Sequence, residues 1–239
     1  MKRSRPEWAG RTGPRNAPSG GPGVQYCPPA NPVPTAMAAP QSLAHHFLTE
    51  ACNNAWANHR LLKACVALPQ EEFVARRTSF FPSLKATLNH ILTVDWYYLE
   101  ILERSLAGLP PHENPGRHYE PEEPFERAAD LAREQLAADR RLIALCAGLD
   151  DARLDATVLL PRRTGLERDW LRRILAHLFE HDIHHRGQVH AMLAGTAVKP
   201  PQLDEFFCTN EAGLRAADFA ELGFTEEAIW GERARAPAG

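Results

Sequence analysis

A helical repeat of apolar residues begins at Ser42, runs through most of the chain and limits the folds that the sequence can adopt. Apolar side chains recur every three or four residues in four long stretches, and breaks containing Pro or Gly separate these stretches. The spacing predicts helices over about 41–67, 83–106, 122–146 and 166–193. Helices of this number and length bury their apolar faces in a four-helix bundle, so the predicted fold class is all-α.

The connections between these helices are less regular. Residues 107–121 are rich in Pro and Gly and predict a crossing loop. Residues 149–165 include the run Thr157–Leu160 and predict either a short β excursion or a loop. After Pro201 comes an apolar tail, in which residues 211–239 are expected to pack on the bundle or to be partly disordered.

The first 40 residues have a different composition from the rest of the chain. They contain nine Pro and five Gly and carry a net charge of +4, which leaves −7 on residues 41–239. Such a segment buries too little apolar surface to fold, so we predict a disordered arm, either a true extension or the product of an upstream start with Met37 as the initiator. The predicted organisation is an arm over 1–40, a bundle over 41–210 and a C-terminal extension over 211–239.

This prediction can be tested by deleting residues 1–36. The melting temperature and the metal content of the shortened protein are expected to equal those of the full chain, because the arm cannot order itself against the bundle. Limited proteolysis is expected to cut first before Met37. A clear loss of stability on deletion would show that the arm docks on the folded part.

Composition excludes several classes of protein. An acidic folded part lacks the clustered Lys and Arg that nucleic-acid binding requires. The longest apolar run, Leu142–Leu149, has eight residues, against the roughly 18 needed to span a bilayer. The basic N-terminus is not followed by the apolar segment of a secretory signal. Five cysteines without a CxxC pair are typical of reduced thiols, so we expect a cytoplasmic protein without nucleic-acid or membrane partners.

Histidines on the second and fourth helices are the candidate functional residues. A helical wheel places His185 within the apolar stripe of the fourth helix and His181 at its edge, whereas His184 lies outside it. His90 borders the inward face of the second helix. Asp182 and Arg186 fall about 100° beyond the histidines, which predicts a solvated salt pair.

Two histidines four residues apart can supply neighbouring ligands to one metal ion. That spacing alone fits a hydrogen-bonded polar pair at the rim of a bundle at least as well. A third inward histidine favours a metal, since three imidazoles are costly to desolvate without a shared partner. We therefore predict a divalent metal site formed by His90, His181 and His185. Asp95, Asp182, Arg186 and Gln188 are the candidates to support these ligands.

Several segments carry a resemblance to a known family. They are Leu88–Leu92 with Asp95, His181–Val189, Asn54–Asn58 and Pro200–Asp204. These segments resemble the signature sequences of the DinB/YfiT-like metalloenzyme superfamily, which is unrelated to the lesion-bypass DNA polymerase of the same name. The resemblance covers roughly residues 41–210.

The resemblance implies a four-helix bundle, often a homodimer, whose divalent metal is held by three histidines that map onto His90, His181 and His185. The metal could be Zn, Ni, Mn or Fe. Some members are thiol-dependent transferases or isomerases that use mycothiol, bacillithiol or glutathione as a low-molecular-weight thiol cosubstrate.

Three hypotheses for function follow. The first is a metal-dependent enzyme that uses a thiol to modify a small-molecule substrate, such as an S-transferase. The second is a non-enzymatic or stress-related bundle whose metal is structural and which acts through its dimer interface or a protein partner. The third is a metal-dependent hydrolase that activates water at the same site. No catalytic side chain beyond the metal ligands is identified by the sequence.

Overall fold

A computed structural model describes residues 42–162 and 164–235. The arm predicted over residues 1–40 lies outside these described residues. Seven α-helices, four short 3₁₀ helices and one hairpin occur in the described part. The helices are α1 (Leu43–Val66), α2 (Gln70–Val74), α3 (Leu84–Leu106), α4 (Ala128–Ala147), α5 (Leu171–Leu193), α6 (Ala212–Leu222) and α7 (Glu226–Trp230). The strands are β1 (Thr157–Arg162) and β2 (Gly165–Trp170).

The four long helices α1, α3, α4 and α5 form the predicted bundle. Each of α1 and α3 packs against both α4 and α5, so the four apolar faces enclose one core. Ser42 and Ser83 start α1 and α3 by accepting hydrogen bonds from the backbone N–H groups of His45 and Ala86. The prediction of an all-α bundle is confirmed, with a single small hairpin in the described part as its addition.

The third long helix begins later than predicted, at Ala128 rather than at residue 122. The side chain of Asn89 explains the difference, because it donates to the backbone carbonyl of Phe125 and accepts from its N–H, both at 2.9 Å. Pro124 lacks the N–H that a helix interior requires. Phe125 therefore packs against the core from an extended segment.

The fourth long helix also begins later, at Leu171 instead of residue 166. Residues 165–170 pair antiparallel with Thr157–Arg162, in a register that places Thr157 opposite Trp170. Val158 and Leu160 are buried against the bundle, whereas most of β2 is exposed. Of the two alternatives left open for residues 149–165, the β excursion is therefore the one observed, and it extends to residue 170.

The C-terminal helices α6 and α7 add a second apolar cluster on the outer side of α1. Trp56 of α1 contacts Phe206, which in turn contacts Phe219 and Trp230. Trp56 is fully buried in this cluster. No helix of the described residues is both long and apolar enough to cross a membrane.

Candidate metal centre

Three histidines from two helices meet on one side of the bundle. His90 lies near the start of α3, and His181 and His185 lie one turn apart in the middle of α5. Ring contacts of His90 with His181, and of Tyr98 with His177, show that the two helices run antiparallel. The structure therefore brings together the three residues that the sequence analysis selected.

The ring nitrogens of this histidine cluster converge on one point. One nitrogen of each ring lies within 4.8 Å of those of the other two, and Nε2 of His90 is 3.1 Å from Nε2 of His181. Two nitrogens bound to one metal at about 2.0–2.1 Å would be roughly 2.9–3.4 Å apart in neighbouring positions. No fourth His, Cys, Asp or Glu of the described residues joins the group. The donor set therefore fits a divalent metal with positions left for another ligand.

The outer nitrogens of two of these rings have acceptors that orient them. Nδ1 of His185 lies 2.9 Å from Oε1 of Gln188, and Nδ1 of His181 lies 3.3 Å from Oδ1 of Asp182. An acceptor at Nδ1 keeps the proton there and leaves the lone pair of Nε2 free for a metal. Gln188 and Asp182 therefore orient the rings of His185 and His181.

The local electrostatics keep two rings of the cluster, His90 and His185, unprotonated at neutral pH. Burial, together with repulsion by the other two imidazoles, lowers the pKa of His90 from 6.5 to about 4. Burial also lowers the pKa of His185. Because a metal binds neutral imidazole, both rings are in the form that a ligand requires.

Two phenylalanines that the sequence analysis did not select cover one side of the cluster. The ring centroid of Phe81 lies 4.4 Å from that of His90 and 5.5 Å from that of His185. Phe80 lies 6.5 Å from His185, and 79% of it is exposed. Their only signal in the sequence is their position directly before Pro82, just ahead of the helix that carries His90.

Comparison with known proteins identifies the family. The model of the DinB family matches residues 43–216, which include all four long helices. The chain belongs to the DinB family. A curated relative, Protein DinB of Bacillus subtilis (strain 168), is 27% identical over 151 residues, which are 62% of this chain and 85% of that protein. The resemblance that the motifs indicated is thereby confirmed.

The remaining histidines of this DinB-family chain near the cluster have other partners. His184 is exposed, and its Nε2 lies 3.0 Å from the side-chain nitrogen of Gln188. His190 lies 3.0 Å from the carbonyl of Pro201. His177 lies one turn before His181, with 6.4 Å between ring centroids, and is exposed. None of these three belongs to the converging group.

A second group with metal-ligand atoms, His59, Asp218 and Glu221, lies between α1 and α6. Its carboxylates already have cationic partners. Arg60 contacts Asp218 at 2.6 Å, and Lys63 contacts Glu221 at 2.6 Å. These cations would repel a metal ion, so we interpret the group as an ion-pair network that holds α6 on α1.

A buried polar layer lies beside the histidine cluster. Arg186 of α5 is 4% exposed, and its guanidinium donates to the side-chain oxygens of Asn54 and Asn58 on α1. Asn58 in turn donates to Asp139 of α4 at 2.9 Å. Gln135 donates to Asp95 of α3 at 2.6 Å. This buried layer therefore includes residues from all four long helices.

Three carboxylates of this layer attract Arg186, namely those of Asp95, Asp139 and Asp182. They are 2%, 3% and 0% exposed. The prediction that Asp182 and Arg186 form a solvated pair is therefore wrong. The helical wheel placed Asp182 and Arg186 only relative to the histidines, which lie on the face of α5 toward α3. Because α5 also packs against α1, the face that carries Asp182 and Arg186 is buried as well. Asp95 and Arg186, also proposed as supports, make no hydrogen bond to the three histidines in the described part.

Asp139 gives the layer a predicted pH dependence. Burial raises its pKa from 3.8 to about 7, against the opposing hydrogen bond from Asn58. A carboxyl whose pKa is raised on folding favours the folded state below its unfolded pKa, and this contribution is lost as the pH rises through about 7. Asp139→Asn is therefore expected to gain stability relative to the natural protein between about pH 5 and about pH 8.

Urea denaturation at about pH 5 and about pH 8, with a chelator present throughout, measures the stability of Asp139→Asn and of the natural protein. The free energy of unfolding of the variant minus that of the natural protein should increase with pH. A difference that stays constant would contradict the assignment of a proton to Asp139 in the folded state.

Proposed function

We propose that this protein binds a divalent metal through His90, His181 and His185 and uses it to activate a low-molecular-weight thiol in a transfer reaction. The observation that carries the proposal is the convergence of three imidazoles without a fourth His, Cys, Asp or Glu ligand in the described part. Structural zinc sites are usually closed by four protein ligands, whereas catalytic sites keep a position open. Thiol use is what the resemblance to the family implies.

The chemistry that a divalent metal supplies, when bound, is deprotonation of a coordinated thiol at neutral pH. The side chains around the histidine cluster orient the imidazole rings and shield the site from water. Gln188 and Asp182 hold the rings of His185 and His181 in position. Phe81 packs against His90 and His185, so it excludes water from that side and gives the site one apolar wall.

Four of the five cysteines lie in the described part of the chain, and their surroundings support a thiol that comes from outside. Cys52, Cys65 and Cys146 are buried, and burial raises their pKa values to about 11, 12 and 12. Such thiols are poor nucleophiles at neutral pH. Cys208 is exposed, but its carbonyl contacts Arg215 and it is not part of the histidine group. None of these four can serve as the reactive thiol at the cluster.

Cobalt substitution tests the proposal. We expect glutathione or a related thiol to produce a sulfur-to-metal charge-transfer band in the Co²⁺-loaded protein, because a coordinated thiol binds as thiolate. Serine variants of Cys52, Cys65, Cys146 and Cys208 are the controls and should retain the band. A screen of thiols with electrophilic acceptors then measures turnover.

The other two hypotheses predict different spectra. If azide or another small anion changes the cobalt spectrum but no thiol does, the site is open without selecting thiols, and water activation is the better explanation. If neither changes it, the metal is closed to external ligands and structural. Either result would overturn the proposed thiol chemistry.

A further inference from the structure

Arg162, at the end of β1, has an unusual environment for a surface arginine. Its guanidinium lies 5.9 Å from the ring centroid of Tyr97 and 5.7 Å from that of Tyr98. It also donates to the hydroxyl of Tyr98 at 3.1 Å. Tyr97 in turn donates to the carbonyl of Pro161 at 2.6 Å, which fixes the hairpin to α3. The two tyrosines therefore hold the guanidinium in a defined place.

Among the described residues, no carboxylate lies within ion-pair distance of the guanidinium of Arg162. Arg60 and Arg215, by contrast, each form an ion pair with a glutamate. Glu167 is the nearby acidic residue, and its carboxylate accepts a hydrogen bond from the hydroxyl of Thr164. The guanidinium of Arg162 is thus held in place and still has N–H groups that can donate to a ligand. The guanidinium fork matches a carboxylate in two parallel hydrogen bonds.

Arg162 faces an open cavity of about 670 Å³. Tyr97, Tyr119 and Pro161 line it together with Glu167. Its walls are thus largely aromatic and apolar, with the cation of Arg162 among them. Such a cavity fits a small organic molecule that carries a carboxylate.

The cavity lies on the same side of the bundle as the histidine cluster. Tyr97 follows His90 by seven residues, two helical turns, so both project from one face of α3 about 10 Å apart. On α5, His177 lies between the histidine cluster and the two tyrosines. Its ring centroid is 6.4 Å from that of His181 and 5.4 Å from that of Tyr98. A single ligand of sufficient length can therefore reach both places.

We infer that Arg162 binds a carboxylate of the thiol cosubstrate while the sulfur of that cosubstrate lies at the histidine cluster. This inference rests on the proposed function. In free cysteine the sulfur and the carboxylate belong to one residue and are about 4 Å apart, whereas in a γ-glutamyl tripeptide the sulfur and the glutamyl carboxylate can be up to roughly 10 Å apart. The inferred cosubstrate is therefore an acidic, peptide-length thiol rather than a small or uncharged one, and Arg162 is its specificity-determining residue.

Calorimetric titration with S-methylglutathione tests this inference separately from thiol activation. The probe retains both carboxylates of glutathione but has no free thiol, so its binding does not require a thiolate. Arg162→Gln in the zinc-loaded protein is expected to weaken binding about tenfold or more, because a charge-assisted pair is lost. Arg162→Lys retains the charge but not the two parallel donors of the guanidinium. Its affinity for the probe should lie between those of the natural protein and Arg162→Gln.

The matched control is Arg168→Gln, which removes an exposed arginine from the other strand of the same hairpin and should leave the affinity unchanged. The diethyl ester of the probe should bind the natural protein more weakly and should lose no further affinity in Arg162→Gln. Melting temperatures of all variants show whether they fold.

Equal binding of acid and ester, equal binding by the natural protein and Arg162→Gln, or no binding of the acid at about 10 mM would each overturn the role of Arg162. A different result is expected if Arg162 binds the carboxylate but the metal does not activate a thiol. In that case the probe still binds in an Arg162-dependent manner while glutathione produces no cobalt band. Conversely, a cobalt band of equal strength with glutathione and its diester would support thiol activation and contradict the Arg162 site.

Discussion

Alanine in place of His185 is expected to abolish stoichiometric metal binding. The natural protein should hold about one divalent ion per chain, and the variant should retain only a small fraction of it after dialysis. The reason is that His185 supplies one of the three ring nitrogens that converge in the described part of the chain. Its loss leaves two ligands and removes the ring that packs between His181 and Phe81. Elemental analysis by mass spectrometry measures the content.

His184→Ala is the matched control, because His184 is the adjacent residue on the same helix and its ring is exposed. It should bind metal as the natural protein does. If His184→Ala emptied the site while His185→Ala remained loaded, the helical-wheel argument, the motif mapping and the geometry of the cluster would all be contradicted.

The largest effect on stability is expected for Arg186→Met. Arg186 is the cation attracted by three buried carboxylates, and it donates to Asn54 and Asn58. Removing one partner from a buried ionic group typically costs about 3–5 kcal/mol, because the charges left behind are desolvated and unpaired. We therefore expect the free energy of unfolding to fall by about this amount in urea denaturation.

Arg173→Ala provides the control on the same helix, since the side chain of Arg173 is 70% exposed and pairs with Asp169 at 3.3 Å. An exposed ion pair of this kind contributes at most about 1 kcal/mol. Similar small losses in both variants would mean that the acidic groups around Arg186 become neutral at little cost, and the ionic description of the layer would be wrong.

Much of the bundle and its candidate site follows from local pattern. The spacing of apolar residues predicted the four long helices, because a helix buries one face and that face repeats every three or four residues. Ser42 and Ser83 start two of these helices through local capping, since each accepts a hydrogen bond from a backbone N–H three residues further on. His181 and His185 were identified as a pair because residues four apart share a face of one helix, whatever packs against it.

Other features depended on contacts between segments that are distant in the chain. Asn89 binds the backbone of Phe125 and so delays α4 to Ala128, and pairing with Thr157–Arg162 turns residues 165–170 into a strand. Such pairings compete with local helix propensity and are not visible in it.

Which histidines form the cluster could be predicted from the sequence, whereas the surroundings of these histidines depend on the tertiary structure. His90, His181 and His185 could be selected one helix at a time, since orientation on a helix is a local property. That Asp182 and Arg186 are buried, that Phe81 covers the cluster and that Arg162 lies over Tyr97 and Tyr98 depends on how helices and loops pack. Burial is a property of the assembled layers, because a side chain leaves water only when a second element covers it.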